Sequence, residues 1–394
     1  MISVEEAQQR VLDLVSLIDT EEVSLTDAHL RVLREDVAAP RDVPQGDNTA
    51  MDGYAVRAAD LPGTLHVIDD LPAGSVSRVK LEPGTAIRIM TGALMPEGAD
   101  TVAQVEITSS NETSVTINQP LPIGTNIRKR GEDMRAGDVV LRSGTLLRAG
   151  EIGVLASVQK QRVTVARKPS IAILSTGDEI VDAGDEVTHG KVVNSNSYSI
   201  AALVRESGAI PRNLGIVRDD RDATIAALER ALDCDFVITT GGVSMGAYDF
   251  VKDALEALGA ETKFWKVAMK PGKPVVVSTL RDRIVFGLPG NPVSCMVGFH
   301  LFVAPALKKA MGIADVLPPI VRLRLAAPLR SKGDRRAYMR VRVAAENGEL
   351  VAHPMRAQGS GVSTSMIGAN GLAVLNEGTT EVVAGAIVDI LLLP

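Results

Sequence analysis

Aromatic side chains are scarce in this chain: Phe, Trp and Tyr together make up 3% of it. Packing therefore falls to Ala, Val, Leu and Gly. Cysteine is nearly absent too. Cys234 and Cys295 are the only two, and they fit neither a disulfide framework nor a metal-ligand set. Both lie in apolar runs and read as buried thiols in a reducing compartment. There is no excess of basic charge: 42 Lys and Arg face 48 Asp and Glu, for a net charge of −6 and a pI of about 5.5. That removes the overall basic footprint of a nucleic-acid binder and leaves room only for a local basic pocket. Long apolar runs are missing as well. The longest, VSCMVGFHLFVAPAL, is about 15 residues, contains His300 and Pro305, and is too short to span a bilayer. The N-terminal stretch MISVEEAQQR carries acids where a secretory signal needs a basic start and an apolar core. The expectation is a soluble, cytoplasmic protein with no membrane and no nucleic acid among its partners.

What is present is ample core material, 45% apolar over 394 residues, enough for two to four domains. Residues 1–19 carry a helical apolar stripe: Val4, Ala7, Val11, Leu14, Val15, Ile18. From about 55 to 145, short β-type runs (TLHVID, TAIRIM, TVAQVEIT, TSVTINQ) alternate with Pro/Gly turns. Residues 149–160 return to a helical pattern. From 170 to 311 strands and helices alternate strictly, which predicts a doubly wound parallel or mixed sheet with its own core. Beyond Pro318–Pro319, alternating runs predict a small β domain.

The segment TTGGVSMGAYDFVKDALEALG, residues 239–259, is the most informative. A buried strand stops at Gly241 and Gly242, and a helical run follows. A strand, glycine turn and helix present backbone N–H groups to an anion. Thr239, Thr240 and Ser244 add hydroxyls and Asp249 a carboxylate, which suits a phosphate with a metal cation. The competing reading is a turn that merely needs glycine. Two further strand ends carry polar loops, STGDEI with Ser175, Thr176, Asp178 and Glu179, and GLPGNPVS with Pro289, Pro292 and Ser294. In open α/β sheets ligands bind at that carboxyl edge. Adjacent carboxylates there suit Mg²⁺, although Asp178, Asp219 or Asp220 could equally cap helices.

Other constellations are weaker. Asp52 in MDGYAVR reads as a turn residue. Thr91 in IMTGA reads as a hydroxyl free to meet an anion, or as turn chemistry. IRKRGEDMRAGDVV packs Arg128, Lys129, Arg130 and Arg135 around Glu132 and Asp133, either a self-paired surface loop or the wall of a basic pocket with an acid for a metal. FWKVAMKPGKP carries Lys266, Lys270 and Lys273. On one extended strand Lys266 and Lys270 share a face, and the Pro-Gly turn brings Lys273 near, which makes an oxyanion site. The alternative is an edge strand guarded by lysines. Arg340, Arg342, Arg356 and the Ser360–Ser365 loop form either another oxyanion cradle or a plain hairpin.

Taken in order, NTAMDGYAVR, IMTGA, IRKRGEDM, STGDEI, NSNSY, GIVRDD, TTGGVSMGAYD, FWKVAMKPGKP and GLPGNPVS resemble the molybdopterin molybdenumtransferases, bacterial relatives of the gephyrin C-terminal domain. The resemblance covers nearly the whole chain. It implies a multidomain α/β plus β fold: a mixed linker domain (1–20, 44–54, 132–169), a β-rich domain (21–43, 55–131), a molybdopterin-binding-like α/β domain (170–317) and a β-barrel-like domain (318–394). It implies insertion of molybdate, as substrate, into adenylylated molybdopterin with loss of AMP, and a requirement for Mg²⁺ or another divalent cation. It also implies an elongated homodimer with active sites shared between subunits, and contacts with the upstream adenylyltransferase and downstream molybdoenzyme-maturation proteins. By motif, Asp52, Thr91, Asp133, Glu179, Asp219 and Asp249 match positions important for activity, with Glu179 and Asp249 as metal ligands. Ser175, Thr176, Gly241, Gly242, Ser244, Lys266, Lys270, Lys273, Pro289, Pro292, Ser294, Arg340 and Ser360 correspond to substrate or molybdate contacts. The family often has a Glu before the signature's final acid; here Met245-Gly246-Ala247-Tyr248-Asp249 keeps the acid and lacks that Glu. The rival expectations are adenylyltransferase-like activity and a non-catalytic scaffold that retains the fold.

Overall fold

The structure is a computed structural model in which residues 1–242 and 250–394 are described. Two compact units result: residues 1–34, 143–148 and 163–394 form one, and residues 35–142 and 149–162 the other.

The larger unit is built on a six-stranded mixed sheet. Ile210–Val217, Ser170–Thr176, Phe236–Thr240 and Arg283–Leu288 run parallel in that order, and Val276–Leu280 and Glu261–Trp265 close the edge antiparallel. The two central strands are buried on both faces, which is why IAILST and FVITT read as unbroken apolar-to-hydroxyl runs. Helices Ser195–Glu206, Arg221–Ala231 and Phe250–Ala257 cover the sheet, as the alternation predicts. Both cysteines are buried.

The apolar run after Pro292 lies in the helix that closes the 170–311 alternation, over the span 292–311 that the pattern predicts. Pro292–Met311 is continuous over 20 residues, with a π-helical stretch at Phe299–Val303. It is long and apolar enough to cross a membrane, but 78% of it is buried inside the protein. Burial on all sides accounts for its apolarity. The N-terminal helix, Val4–Leu14, packs into the same core through Val4, Ala7 and Val11. Polar clamps hold the two together: Gln8 Nε2 donates to the Leu301 carbonyl (3.1 Å), and Lys309 Nζ to that of Leu12 (2.6 Å).

The chain continues into a second six-stranded sheet, mostly antiparallel, with its own core of Leu325, Val341, Ala352, Ala373 and Ile390. The short strand Met269–Lys270 joins that sheet, parallel to Arg336–Ala337. The FWKVAM run is therefore not one strand. Glu261–Trp265 ends at Lys266, whose φ is +71°, and the chain changes sheets before Met269. Lys266 and Lys270 do not share a strand face as expected.

The smaller unit has a six-stranded sheet, in the order Thr101–Gln104, Gly53–Val56, Thr85–Ile89, Gly63–Leu71, Ser114–Ile117, Thr108–Ser110. These are the β runs read between Pro/Gly turns. Helix Ala149–Ser157 belongs to the same unit.

Candidate functional site

Three strands of the larger sheet end side by side, and their loops define a cleft. Strand Ser170–Thr176 delivers Ser175 and Thr176, Phe236–Thr240 delivers Thr240 and Gly241, and Arg283–Leu288 leads into Gly290, Asn291 and Pro292. With Glu179, Val192, the start of helix Ser195–Glu206 and Gly361, they enclose about 520 Å³. This is the carboxyl edge at which the sequence pattern predicts ligand binding.

Much of the cleft's chemistry is internal bracing. The Ser175 hydroxyl lies 3.0 Å from Asn194 Oδ1 and 3.0 Å from Thr240 Oγ1, and Asn194 Oδ1 also accepts the Ser197 N–H, capping the helix. Gly241 and Gly242 have φ of +88° and +62°, so glycine is demanded by conformation. It is also demanded by space. A Cβ on Gly241 would lie 2.8 Å from the Thr176 carbonyl oxygen, and one on Gly242 2.6 Å from Val251 Cγ2. The Gly241 N–H donates to the Leu288 carbonyl, so that amide is committed. Ser244 and Asp249 lie outside the described residues.

The acids divide by role. Asp220 caps helix Arg221–Ala231 by accepting the Ala223 N–H. Asp178 caps no helix. Instead, its N–H donates to Asp219 Oδ2 (3.3 Å), and the Asp219 N–H donates back to Asp178 Oδ1 (3.2 Å). Burial raises the Asp219 pKa above the ordinary carboxylate value, the Asp178 N–H opposes this, and the charges of Asp178 and Glu179 add to the rise. Glu179 folds over Gly177, its Oε2 standing 2.5 Å from where a Cβ there would be. Among the described residues no group of three or more His, Cys, Asp or Glu side chains is placed to hold a metal. Mg²⁺ needs only one or two carboxylates beside phosphate oxygens, and Glu179 and Asp219 fit that donor set.

The C-terminal sheet adds a wall. The Val293 N–H donates to the Ser360 carbonyl, 3.1 Å away, docking that loop on the helix that begins at Pro292. Arg340 is 0% exposed. Its Nη2 donates to the carbonyls of Ala357 and Gly359 (3.3 and 3.2 Å) and its Nε to Ser365 Oγ (3.3 Å), while Nη1 has no partner among the described residues. Burial lowers its pKa to about 10. Arg340 thus holds the loop that carries Ser360. Pro289 is buried at the strand end. The Pro271–Gly272 turn between Lys270 and Lys273 packs near Ser294: a Cβ on Gly272 would lie 3.5 Å from the Ser294 carbonyl oxygen. Lys270 is half-buried and Lys273 exposed. Lys266 Nζ sits 4.9 Å from the centroid of the Trp265 ring.

In the smaller unit Thr91 is not free. Its backbone N–H and its hydroxyl both donate to Asp52 Oδ1, each at 2.6 Å. These two bonds, the hydroxyl's first, hold the Asp52 carboxyl below the usual range. Asp133 lies exposed in the turn of the IRKRGEDM loop, its N–H bonded to the Val43 carbonyl. Lys129 and Arg130 of that loop pair with Asp47 and Asp42 of another segment rather than with the loop's own Glu132 and Asp133, so the loop is ion-paired but not self-paired.

Three family models match along the chain. They are the MoeA N-terminal region (domain I and II) over residues 2–159, a probable molybdopterin binding domain over 172–309, and the MoeA C-terminal region (domain IV) over 322–393. The chain belongs to the MoeA family. A molybdopterin molybdenumtransferase of Bacillus subtilis is 38% identical over 100% of this chain and 94% of its own length. One from Staphylococcus aureus (strain COL) is 36% identical over 99% and 95%. Among solved structures, the molybdopterin biosynthesis moeA protein of Pyrococcus horikoshii OT3 superposes with a TM-score of 0.86 at 32% identity over 100% of both chains. A Pyrococcus furiosus molybdenum cofactor biosynthesis protein, at 23% identity and TM-score 0.62 over 100% of this chain and 99% of its own, shares the fold. Within this MoeA-family chain, Asn194, Asn196, Asn291 and Gly361 line the cleft without having been singled out from the sequence. NSNSY was legible only as a motif, yet an Asn just before a helical run is a capping signal.

Proposed function

We propose that this chain inserts molybdate into adenylylated molybdopterin, releases AMP and yields molybdenum cofactor. It is an enzyme of the molybdenumtransferase family, and insertion of molybdenum into molybdopterin is its reaction. Release of AMP, the divalent cation and the assembly state belong to the proposal. The observation that carries it is the convergence of three strand-end loops on one 520 Å³ cleft in the domain that matches the molybdopterin-binding model.

Lys270 and Lys273 bind oxyanion charge by charge-assisted hydrogen bonds. Glu179 and Asp219, with Asp249 of the same motif set, are the residues that would hold Mg²⁺ or another divalent cation. Bound there, the cation would neutralise pyrophosphate oxygens. The braced Ser175–Asn194–Thr240 network keeps the cleft floor fixed while substrate and molybdate are aligned. Two matched regions flanking the central domain support this reading over an adenylyltransferase-like activity. Homodimeric assembly and a cytoplasmic location complete the proposal. The test is direct: the purified, folded protein with adenylylated molybdopterin should release AMP when molybdate is added. No release in the presence of Mg²⁺ would refute it.

A further inference from the structure

Thr176 and Asn196 are 7% and 8% exposed, and each has a buried oxygen, Thr176 Oγ1 and Asn196 Oδ1, with no hydrogen-bond partner among the described residues. Both side chains line the same cleft. An unpaired buried acceptor is costly, so such a group calls for a partner from outside the protein, a water or a ligand. For Asn196 the chemistry of that partner is fixed. Its Nδ2 donates to the Gly290 carbonyl, 2.7 Å away. A carbonyl only accepts, so the amide cannot flip, and Oδ1 is left as an acceptor on the other side. An acceptor repels phosphate and molybdate oxygens. It welcomes an N–H. The neighbouring lip is apolar, formed by Ile180, Val192 and Val193.

We propose that Asn196 is a specificity-determining residue that reads the exocyclic amino group of a flat nitrogen heterocycle at this end of the cleft. Thr176 Oγ1 lies ready as a second, adaptable partner. The inference rests on the reading that the cleft takes a heterocycle-bearing phosphorylated substrate. Two heterocycles of that substrate carry such a group, the pterin and the adenine, and the experiment separates them.

Binding of two ligand pairs is measured by titration calorimetry without molybdate or turnover. One pair is AMP and purine riboside 5′-monophosphate, which lacks only the amino group. The other is pterin and pteridin-4-one, which differ in the same way. The wild type should prefer the amino-bearing member of one pair by about tenfold, the effect of one well-made hydrogen bond to a buried acceptor. The pair that is discriminated names the occupant. Asn196→Ala should reduce that preference to less than about twofold. Asn196→Asp, which retains an acceptor oxygen and loses the donation to Gly290, should keep it. A residue that only clasped the Gly290 loop would lose the same in both variants. No preference in the wild type for either pair overturns the proposal, because a buried water then satisfies Oδ1. So does a preference that survives Asn196→Ala. Should Asn196→Ala fail to fold, the wild-type and Asn196→Asp measurements still decide. AMP release without any amino preference would sink this inference and spare the proposed reaction; the reverse result would do the opposite.

Discussion

Thr91 gives both its backbone N–H and its hydroxyl to a single oxygen of Asp52, each at 2.6 Å. Two donors on one carboxylate oxygen favour the charged form and hold the Asp52 pKa below its ordinary value. Thr91→Val deletes the hydroxyl and leaves the backbone bond. The Asp52 titration, followed by carboxyl carbon NMR, should then move up toward that of an ordinary Asp. An unmoved titration would mean that the pairing does not persist in solution.

Asp235 supplies the clearest pH dependence. Burial works against its charge, and two hydrogen bonds from Arg167 plus the N–H and hydroxyl of Ser170 overcome that, lowering its pKa to about 2. A depressed carboxylate pKa stabilises the fold above the unfolded value and loses that stabilisation as pH falls through the folded one. The shift corresponds to about 2 kcal/mol at neutral pH. Asp235→Asn should lower the urea midpoint at pH 7, and the gap to wild type should narrow as pH drops from about 4 toward 2. A gap independent of pH would show that shape rather than charge matters at this position.

Gly241→Ala tests how much of the glycine turn is architecture. The new methyl would meet the Thr176 carbonyl oxygen at 2.8 Å on a backbone of positive φ. The expected cost is on the order of 1–3 kcal/mol in chemical denaturation. Unchanged stability would show that the loop yields easily.

Glu179→Gln should leave the unfolding midpoint near that of wild type and abolish AMP release. The side chain lies in the loop after strand Ser170–Thr176 and makes no hydrogen bond or ion pair among the described residues, so the fold does not need its charge, whereas the proposed cation site does. Calorimetric titration with Mg²⁺ gives a second readout: equal binding by wild type and variant would remove Glu179 from the cation site.

Lys270→Ala and Lys273→Ala should each weaken molybdate binding by one to two powers of ten, from a charge-assisted contact of about 1.5–3 kcal/mol. Thermal stability should change little. If titration finds molybdate affinity intact in both, the lysines serve only the surface.

The fold class follows from periodicity. Strands that run from apolar into hydroxyl residues, each followed by an amphipathic helix, predict a sheet covered on both faces and polar loops at one edge. The structure has that sheet and that edge. Lys266 shows where local reading stops. No glycine or proline marks position 266, yet its φ is +71° and the chain leaves one sheet for another. Pairing of Met269–Lys270 with Arg336–Ala337 forces that break, and such a partner lies too far along the sequence for local preference to reveal.

Which residue types gather at the strand ends was already legible in the chain, because composition and period decide what is buried and what remains polar. What each of them does there came only with the folded contacts. Asp219 and Asp220 are neighbours in the chain, but one caps a helix and the other exchanges hydrogen bonds with Asp178. In sequence Arg340 reads as a possible oxyanion contact and Asn196 as one polar residue of the NSNSY motif. Burial turns the first into the brace of a loop and leaves the second with an acceptor that has no partner among the described residues. Hydrogen bonds are short-ranged and directional, so a side chain's role is settled only when the fold brings its distant partners within reach.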